Sequence, residues 1–504
     1  MKEWIIDILS YKENEPLLFT QVYFWIFLCF TFLFYSFIYK KNILRNTYLF
    51  IISLFFYYKS GGYFFSLLIF STIVDYTAGQ LIYNSKKLFK KKLWLIISIV
   101  VNLTVLGYFK YTYFIVDIIN QLFNTNYEVV NILANTTNYW FGTNFDIYNI
   151  ILPVGISFFT FQTMSYTIDV YRNKIKPVNN IIDFAFYVSY FPQLVAGPIV
   201  RASEFIPQLF IKYKLTKEEF SHALFLIING LIKKMLISDY LSINFVDRVF
   251  ENPSLYSGIE NLLSVYGYAI QIYCDFSGYT DIAIGVSLLF GFRLPINFNS
   301  PYKATNITDF WRKWHISLSS WLKDYLYISL GGNRKGKIRQ YLNLLITMLL
   351  GGLWHGANFK FIIWGGIHGI ALMIHKIIKS FNFSIPSTRF GRFISIFITF
   401  HLVCFAWLFF RAPDMQSVNI MLFSIFNDFN LNVLQQFIIS YPILVFLMIS
   451  AYFIHWLPFS IKEWYRGIFI KTPLFVKLII VVIVIFILYQ AKTSEIQPFI
   501  YFQF

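Results

Sequence analysis

This chain is organised around one stretch, which opens with Trp311-Arg312-Lys313-Trp314-His315-Ile316-Ser317-Leu318-Ser319 and closes on Gly351-Gly352-Leu353-Trp354-His355-Gly356. Each histidine follows a tryptophan within a largely apolar sequence. Histidine can take up and return a proton near neutral pH. An ionisable side chain at membrane depth is costly to bury, which makes it a candidate for function. His315 and His355 are therefore candidate functional residues. The alternative for His355 is a hydrogen bond to a carbonyl group between packed helices.

The composition indicates an integral membrane protein with a single domain. The 504 residues are 57% hydrophobic and 13% charged, and the mean hydropathy is +0.58. A soluble chain of this length would divide into several domains with charged surfaces. Apolar runs of about 17 to 25 residues recur along the chain, and that length matches a helix crossing the hydrocarbon core. We predict an all-α, polytopic protein formed by residues 1–504, with a motif core near residues 265–375.

The apolar runs and the charges between them predict about 10 to 13 membrane spans and their orientation. Five lysines within residues 86–92 mark a cytoplasmic loop, whereas residues 124–150 contain no Lys or Arg, as expected of an outer loop. The N-terminus is thus predicted to lie outside. Residues 181–199 have cytoplasmic-type charges on both flanks and are predicted to form a re-entrant or interfacial segment. The predicted spans are residues 17–39, 46–58, 63–83, 93–109, 151–170, 222–238, 262–291, 341–353, 359–374, 393–410, 438–456 and 474–489.

The remaining composition argues against several other classes of protein. The net charge of +17 is assigned to cytoplasmic loops, because the basic residues lack the aromatic-interleaved stripe of a nucleic-acid binder. The cysteines Cys29, Cys274 and Cys404 lie far apart and predict neither a disulfide framework nor a metal site. His368 and His375 also lack the i, i+4 spacing of a helical zinc site, so no metal is expected. No cleaved signal peptide is expected.

Two polar features fall inside or beside the predicted spans. Residues 293–339 are strongly basic, and apolar residues recur in them at helical spacing from Trp311 to Tyr325. This pattern predicts one amphipathic helix in or dipping from the inner interface. Asp275 and Asp281 interrupt the span 262–291. They can act as polar contacts between helices or line a polar pocket, and both interpretations stay open.

The residues around His355 suit acyl transfer. Moving an acyl group from a thioester to a hydroxyl needs a base for the hydroxyl and donors for the tetrahedral oxyanion. Trp354 and Asn358 are candidates to orient the imidazole or to donate hydrogen bonds, and neighbouring glycines let backbones approach closely. The sequence has no Walker-type phosphate loop, no G-x-S-x-G elbow and no H-E-x-x-H motif.

These motifs resemble the signature of membrane-bound O-acyltransferases over nearly the whole chain. The chain end resembles the bacterial branch that modifies extracytoplasmic polymers, which includes the alginate and peptidoglycan O-acetyltransferase membrane subunits and the teichoic-acid D-alanyl transfer protein. The chain length favours the acetyltransferases within that branch. Cys274 is a departure, since many members carry an aromatic residue there. The matching stretches are residues 195–199, 273–285, 310–319, 330–334, 351–358, 364–365, 369 and 498–504.

The resemblance implies a ring of tilted helices around a central funnel, without a bound cofactor. It implies acetyl-coenzyme A, or a similar acyl thioester, as a cytoplasmic donor. It also implies a polysaccharide acceptor and often a separate esterase-like partner outside. By motif position, His355 corresponds to the catalytic histidine and His315 to a second histidine on the cytoplasmic side. We expect an O-acetyltransferase of the bacterial inner membrane, in contact with lipids and with no nucleic acid.

Three alternatives remain at this stage. Transfer of D-alanyl or of another acyl group to a lipid or small molecule would use the same histidines. A transporter could use them as a proton relay, although such proteins tend to show repeated halves, which this sequence lacks. A membrane scaffold that recruits an esterase would tolerate alanine at both histidines.

Two further groups of residues are assigned on charge and chemistry. Arg334, Lys335 and Lys337 are predicted to attract the phosphates of the donor, with positive-inside anchoring as the alternative. Tyr501, in the aromatic tail 499–504, is predicted either to carry the acyl group as a covalent relay or to anchor the tail at the interface. The tail is expected to fold back into the bundle, because a free tail of that composition would expose a hydrophobic patch.

Overall fold

Long apolar helices build the molecule, as the hydropathy pattern predicts. The computed structural model describes residues 10–12, 15–194, 197–381, 388–491 and 499. Within these residues the regular structure is entirely helical, and no strand occurs. The all-α fold predicted from the sequence is confirmed.

The first half of the chain ends in a long continuous helical element, Lys217–Glu251, in which two π-helical stretches, Ile232–Asp239 and Ser242–Val246, join two α-helices. A capping box at Thr216 starts this element, because its hydroxyl accepts the N–H of Glu219 and the Glu219 side chain accepts the N–H of Thr216. The helices are α1 (Val22–Ile38), α2 (Asn42–Gly61), α3 (Phe65–Asn84), α4 (Leu88–Phe123), α5 (Ile132–Phe141), α6 (Ile156–Tyr171), α7 (Ile181–Ser189), α8 (Phe191–Leu194), α9 (Ala202–Phe205), α10 (Lys217–Leu231) and α11 (Asp247–Glu251).

The second half of the chain contains the two histidine motifs. A capping box at Ser257 starts its longest helix, and a π-helix, Leu322–Tyr327, follows the first histidine motif. The helices are α12 (Gly258–Leu289), α13 (Ile307–Trp311), α14 (Ile316–Trp321), α15 (Lys337–His355), α16 (Phe359–Ser380), α17 (Arg389–Arg411), α18 (Met415–Asn427), α19 (Asn432–Ser440), α20 (Pro442–Trp456), α21 (Phe459–Lys471) and α22 (Leu474–Ala491).

Helices α6 and α12 form the centre of the protein. Every residue of α6 from Ile156 to Val170 is buried, and so is most of α12. α12 packs closely on α10, because a Cβ atom added to Gly230 would lie only 2.5 Å from the carbonyl oxygen of Gly278. Small residues of this kind let two helix backbones touch inside a membrane protein.

Six helical segments of the described chain are long and apolar enough to cross a membrane, and a seventh results if the bent pair α19 and α20 counts as one span. The chain is therefore a multi-pass membrane protein. This number is below the roughly 10 to 13 spans predicted from apolar run length. Two of the predicted spans correspond to short helices, since α1 has 17 residues and α6 has 16. α6 is apolar because the protein encloses it, and burial in a core favours apolar residues as lipid does.

The predicted re-entrant segment, residues 181–199, does not form a crossing helix. α7 has nine residues and α8 has four. Nine residues of α-helix rise only about 14 Å, which is less than half of the hydrocarbon thickness. The residues from Asp183 to Ser189 in α7 and all four residues of α8 are buried. Short helical turns at this depth are tolerated because surrounding protein covers their backbone.

The single amphipathic helix predicted from Trp311 to Tyr325 is wrong. α13 ends at Trp311, the chain turns, and α14 starts at Ile316. His315 lies in the turn with a φ of 41°, in the left-handed region that non-glycine residues seldom adopt. The apolar stripe, including Trp314 and Trp321, is buried inside the protein. The helical period of the stripe therefore reflects contacts with other helices rather than with lipid.

A hairpin of α15 and α16 carries the second histidine motif. A Cβ atom at Gly352 would overlap the carbonyl oxygen of Phe361, and one at Gly365 would overlap that of Met348. Both positions therefore need glycine for the two helices to pack this closely. The result is that the last turn of α15, which ends at His355, is fixed against the first turns of α16.

Candidate active site

His315 is completely buried, and Asn297 holds the turn in which it lies. The Oδ1 atom of Asn297 accepts the N–H of Ser317 at 3.1 Å and the hydroxyl of Ser317 at 2.9 Å. The same oxygen lies 3.2 Å from Nδ1 of His315. Since an amide oxygen only accepts, Nδ1 carries the proton and donates it to this oxygen. The lone pair of the neutral ring is then on Nε2, the nitrogen that can accept a proton.

His355 is the last residue of α15. Its side chain is buried at 3% exposure. The imidazole meets three aromatic rings edge-on: Trp354 at 5.0 Å, Trp364 at 5.0 Å and Phe410 at 5.3 Å between centroids. These rings come from α15, α16 and α17, so three helices fix the position of His355.

Trp354 connects the two histidines. Its ring centroid lies 6.2 Å from that of His315 and 5.0 Å from that of His355. Phe158 of α6 lies 5.4 Å from Trp354, and Phe276 of α12 lies 4.6 Å from His315. The fold thus brings together two motif histidines that are 40 residues apart in sequence. Trp354 contacts both motif histidines, and its role in orienting the imidazole of His355 stays a prediction.

The end of α15 is held by two side chains of α4 that the sequence analysis did not single out. The ammonium of Lys110 donates to the carbonyl oxygens of Trp354 at 2.8 Å and His355 at 3.0 Å. The hydroxyl of Tyr111 donates to the carbonyl oxygen of Leu353 at 2.8 Å. A cation at a helix C-terminus satisfies free carbonyl groups and is attracted by the helix dipole. The sequence did contain a signal for Lys110, because this lysine directly follows the predicted span 93–109. A basic residue at or near membrane depth is a candidate for function.

His368 lies one helical turn beyond Trp364 on α16. Its ring is 4.7 Å from Trp364 and 5.1 Å from Trp311. In the ranges the structure describes, both ring nitrogens of His368 and Nε1 of Trp364 and of Trp354 are buried without a hydrogen-bond partner. Buried polar atoms are nearly always paired, so these donors suit a polar group of a substrate beside His355. The spacing of His368 in the sequence predicted only that it binds no metal.

Asp275 and Asp281 form ion pairs with two lysines of the helical element that begins with α10. Asp275 lies 2.5 Å from the ammonium of Lys234, which also lies 2.8 Å from Asp239. Asp281 lies 2.7 Å from the ammonium of Lys233. Both carboxylates therefore link α12 to the element that begins with α10, which favours the interpretation as polar contacts between helices.

The other predicted site residues are not brought to the histidines. Asn358 is exposed, and its Oδ1 accepts the N–H of Lys360 at 3.0 Å, which caps α16. Arg334, Lys335 and Lys337 are exposed on the segment before and at the start of α15. In the described residues no group of three or more His, Cys, Asp or Glu side chains could hold a metal ion.

Tyr501 lies outside the described residues. Phe499, two positions earlier, is fully buried, with its ring 4.9 Å from Tyr279 and 5.3 Å from Phe276. Because Phe276 also contacts His315, the tail returns to the interior at this residue, as expected from its composition.

Comparison with known proteins identifies related sequences. The profile of the MBOAT, membrane-bound O-acyltransferase family matches residues 171–412. Peptidoglycan O-acetyltransferase of Helicobacter pylori is 38% identical over 410 residues, which cover 75% of this chain and 73% of that protein. A probable alginate O-acetylase of Pseudomonas aeruginosa is 44% identical over 325 residues, or 64% of this chain and 58% of that protein. Teichoic acid D-alanyltransferase of Bacillus subtilis is 30% identical over 52% of this chain and 69% of that protein.

Proposed function

The chain belongs to the membrane-bound O-acyltransferase family and is an acyltransferase, and we propose that it moves an acetyl group from a cytoplasmic thioester toward hydroxyl groups of a polysaccharide outside the membrane. The observation that carries this proposal is the contact of His315 and His355 with the same ring, that of Trp354, deep in the protein. Acetyl transfer is favoured over D-alanyl transfer because the two relatives with the higher identity are named for O-acetylation.

His355 is the general base in this proposal. Its imidazole takes the proton of the attacking hydroxyl as the oxygen forms a bond to the thioester carbonyl carbon. The indole N–H groups of Trp354 and Trp364 are the nearest buried donors without a partner in the described chain, and they suit the oxyanion that develops. When the carbon–sulfur bond breaks, the thiolate leaves and takes the proton back from the imidazole. No metal is needed for these steps.

His315 serves the cytoplasmic half of the reaction. With Nδ1 donating to Asn297, the lone pair of the neutral ring is on Nε2, the nitrogen that would accept a proton or a hydrogen bond near the leaving sulfur. We expect His315→Ala to slow loading of the acyl group more than its release. Single-turnover kinetics with labelled acetyl-coenzyme A separate the two steps, and a wild-type loading rate in this variant would contradict the assignment.

The acceptor and partner follow from the relatives only as proposals. A peptidoglycan or alginate-like glycan of the cell envelope is the proposed acceptor, and an esterase-like protein outside the inner membrane is the proposed recipient of the acetyl group. Purified protein should release free thiol from acetyl-coenzyme A in the presence of that partner and a glycan oligomer. A wild-type protein that releases no thiol under these conditions, while the glycan remains unacetylated, contradicts the proposal.

Tyr501 remains the candidate covalent relay. A phenol ester would let the acetyl group pause on the protein after the thiol leaves, so that transfer is split into two steps. Peptide mass spectrometry after incubation with labelled donor should find an acetyl adduct on Tyr501 that needs His355. If Tyr501→Phe acetylates the glycan at the normal rate, the tail acts as an anchor.

A further inference from the structure

An apolar groove lies between α20, α12 and α17. Its volume is about 550 Å³, within the range of about 300 to 1,000 Å³ that is usual for ligand pockets. Tyr266 of α12, Phe400 of α17 and one face of α20, from Met448 to Trp456, line this groove. Phe453 is 66% exposed and Trp456 is 42% exposed, so the groove opens on the outside of the helix bundle. We call it the lateral groove.

Two partly exposed lysines lie where α20 ends, beside the lateral groove. The ammonium of Lys303 donates to the carbonyl oxygen of Leu457 at 2.5 Å, and that of Lys462 donates to the carbonyl oxygen of His455 at 2.8 Å. Both carbonyl groups neighbour Trp456 in the chain, whose side chain lines the groove. We call Lys303 and Lys462 the elbow lysines, because they hold the elbow between α20 and α21.

The elbow lysines have hydrogen-bond donors and charge to offer to an anion. Across the described part of the chain, neither ammonium lies within ion-pair distance of a carboxylate. Each ammonium has three N–H donors. Lys303 uses one of them on Leu457, and Lys462 uses two, on His455 and on the hydroxyl of Ser300 at 3.0 Å. Burial and the charge of Lys303 lower the pKa of Lys462 to about 8, so a neighbouring anion would stabilise its charged form.

The helix α21 places the elbow lysines at the level of lipid headgroups. None of its residues is buried, and the large side chains of Phe459 and Trp464 are exposed. A helix with exposed apolar and basic side chains is typical of the membrane interface. The excess of Lys and Arg in residues 293–339, which include Lys303, favours the cytoplasmic side. The membrane surface on that side has a negative potential, because its lipids include anionic ones.

We propose that an anionic phospholipid binds here, with its phosphate on the elbow lysines and one acyl chain in the lateral groove. Hydrogen bonds from an ammonium to a phosphate oxygen are charge-assisted and therefore strong. The groove supplies aromatic and aliphatic walls against which a chain packs. A zwitterionic phospholipid carries its own cation next to the phosphate, so two lysines attract it less. The site thus selects its lipid by headgroup charge.

The segment 297–303 connects this lipid site to the turn of His315. Asn297 begins the segment and holds that turn. Near its other end, the N–H of Tyr302 donates to Nε2 of His455, at the end of α20, at 3.2 Å. One elbow lysine is the last residue of the segment, so an anion at the elbow stabilises the segment from that end. We expect anionic lipid to raise the rate of acyl transfer, and this consequence rests on the proposed function.

Photo-crosslinking in nanodiscs of phosphatidylcholine tests the lipid site without catalysis. The two probes are phosphatidylglycerol and phosphatidylcholine with the same diazirine-bearing acyl chain, and peptide mass spectrometry measures the labelling of α20. The key protein carries Lys303→Gln and Lys462→Gln together, which removes both charges and keeps amide donors for the end of α20. Lys471→Gln is the matched control, since Lys471 is an exposed lysine of the same helix, α21. Melting temperatures in these nanodiscs show which variants are folded.

We expect the phosphatidylglycerol probe to label α20 of wild type about 10-fold more than the phosphatidylcholine probe, which is the discrimination that one charged hydrogen bond gives. The double variant should lose this preference, whereas Lys462→Arg and Lys471→Gln should keep it. If the double variant does not fold, Lys462→Gln alone takes its place. Equal labelling of wild type by the two probes, or an unchanged preference in the folded charge-removing variant, overturns the assignment.

Further outcomes separate the lipid site from another occupant and from the proposed function. If neither probe labels α20 and the protein is a dimer in the nanodiscs, a second copy covers the lateral groove and the lipid assignment is wrong. Thiol release from acetyl-coenzyme A that is faster with phosphatidylglycerol in wild type, but not in the double variant, supports the connection to His315. Equal release in both lipids contradicts that connection and leaves the lipid site standing. Selective labelling without any thiol release contradicts the proposed function alone.

Discussion

Two buried polar regions of this protein are built in opposite ways. The lysine–carboxylate region consists of Lys233, Lys234, Asp239, Asp275 and Asp281, and its ammonium and carboxylate groups meet at 2.5 to 2.8 Å. The histidine region consists of His315, Trp354, His355, Trp364 and His368, where imidazole and indole rings pack edge-on against one another. Among the described residues, the indole N–H groups of Trp354 and Trp364 and both ring nitrogens of His368 have no hydrogen-bond partner.

The difference shows that burial of a polar group does not by itself mark a site. In the lysine–carboxylate region the protein satisfies its own charges, which is what stability requires of ions taken out of water. In the histidine region the protein leaves polar atoms of Trp354, Trp364 and His368 for another molecule, which costs stability unless a ligand pairs them. Substitutions in the two regions should therefore separate activity from stability.

The largest effect on activity should come from His355→Ala. Loss of a positioned base lowers the rate by about 100-fold to 10,000-fold. The melting temperature in detergent should fall, because alanine leaves a cavity among the three rings that pack on the imidazole, so the rate must be compared per folded molecule. Thiol release from acetyl-coenzyme A per folded molecule measures the effect. Equal rates in wild type and variant would remove His355 from the mechanism.

The largest effect on stability should come from Lys234→Met in the lysine–carboxylate region. It leaves Asp275 and Asp239 buried near each other without their shared cation, and breaking a buried pair costs about 3 to 5 kcal/mol. Protein that still folds should keep a turnover number near wild type. Adding Asp275→Asn to the same chain should recover part of the lost melting temperature. A folded Lys234→Met protein as inactive as His355→Ala would erase the distinction between the regions.

Lys110→Met should have an effect on activity of intermediate size, because Lys110 shares a feature with each region. Lys110 is a membrane-embedded charge, yet it bonds the backbone of the histidine region instead of a carboxylate. A cation at a helix end contributes up to about 2 kcal/mol, so we expect a loss in turnover number of about 10-fold with little change in the donor's Michaelis constant.

Tyr111→Phe is the matched control for Lys110. It removes one hydrogen bond to the same helix end, at Leu353, without touching the carbonyl of His355. Its turnover number should stay close to wild type, and Lys110→Arg should restore part of the activity. If the Lys110→Met protein has a lower melting temperature but a wild-type turnover number per folded molecule, Lys110 only stabilises the helix packing.

The smallest effect should come from neutralising Arg334, Lys335 and Lys337 together. These side chains are exposed and would steer an anionic donor only through screened solvent. We expect the donor's apparent Michaelis constant to rise by about two- to threefold at low salt and to return toward wild type at high salt. Unchanged kinetics with altered membrane insertion would leave these residues as topological signals.

The sequence alone predicted the helical class and marked His315 and His355 as candidate functional residues. Both predictions were possible because hydropathy and the two Trp-His motifs are local features. It missed the turn at His315, because the apolar period from Trp311 to Tyr325 continues across the break. It could not assign Lys110, whose partner carbonyl at Trp354 is 244 residues away. Asp275 stayed ambiguous for the same reason, since its meaning depends on Lys234 in another helix. Long-range pairing decides these roles, and a single sequence does not display it.

The most direct test of the central claim uses sealed vesicles that contain the purified protein in one orientation. Acetyl-coenzyme A, labelled in both the acetyl group and the nucleotide, is supplied on the cytoplasmic side, and the esterase-like partner with a glycan oligomer is enclosed on the other side. We predict that the acetyl label reaches the enclosed glycan, that the nucleotide label stays outside, and that both results require His355. Nucleotide label inside the vesicles, or acetylation that persists in His355→Ala, would contradict the account.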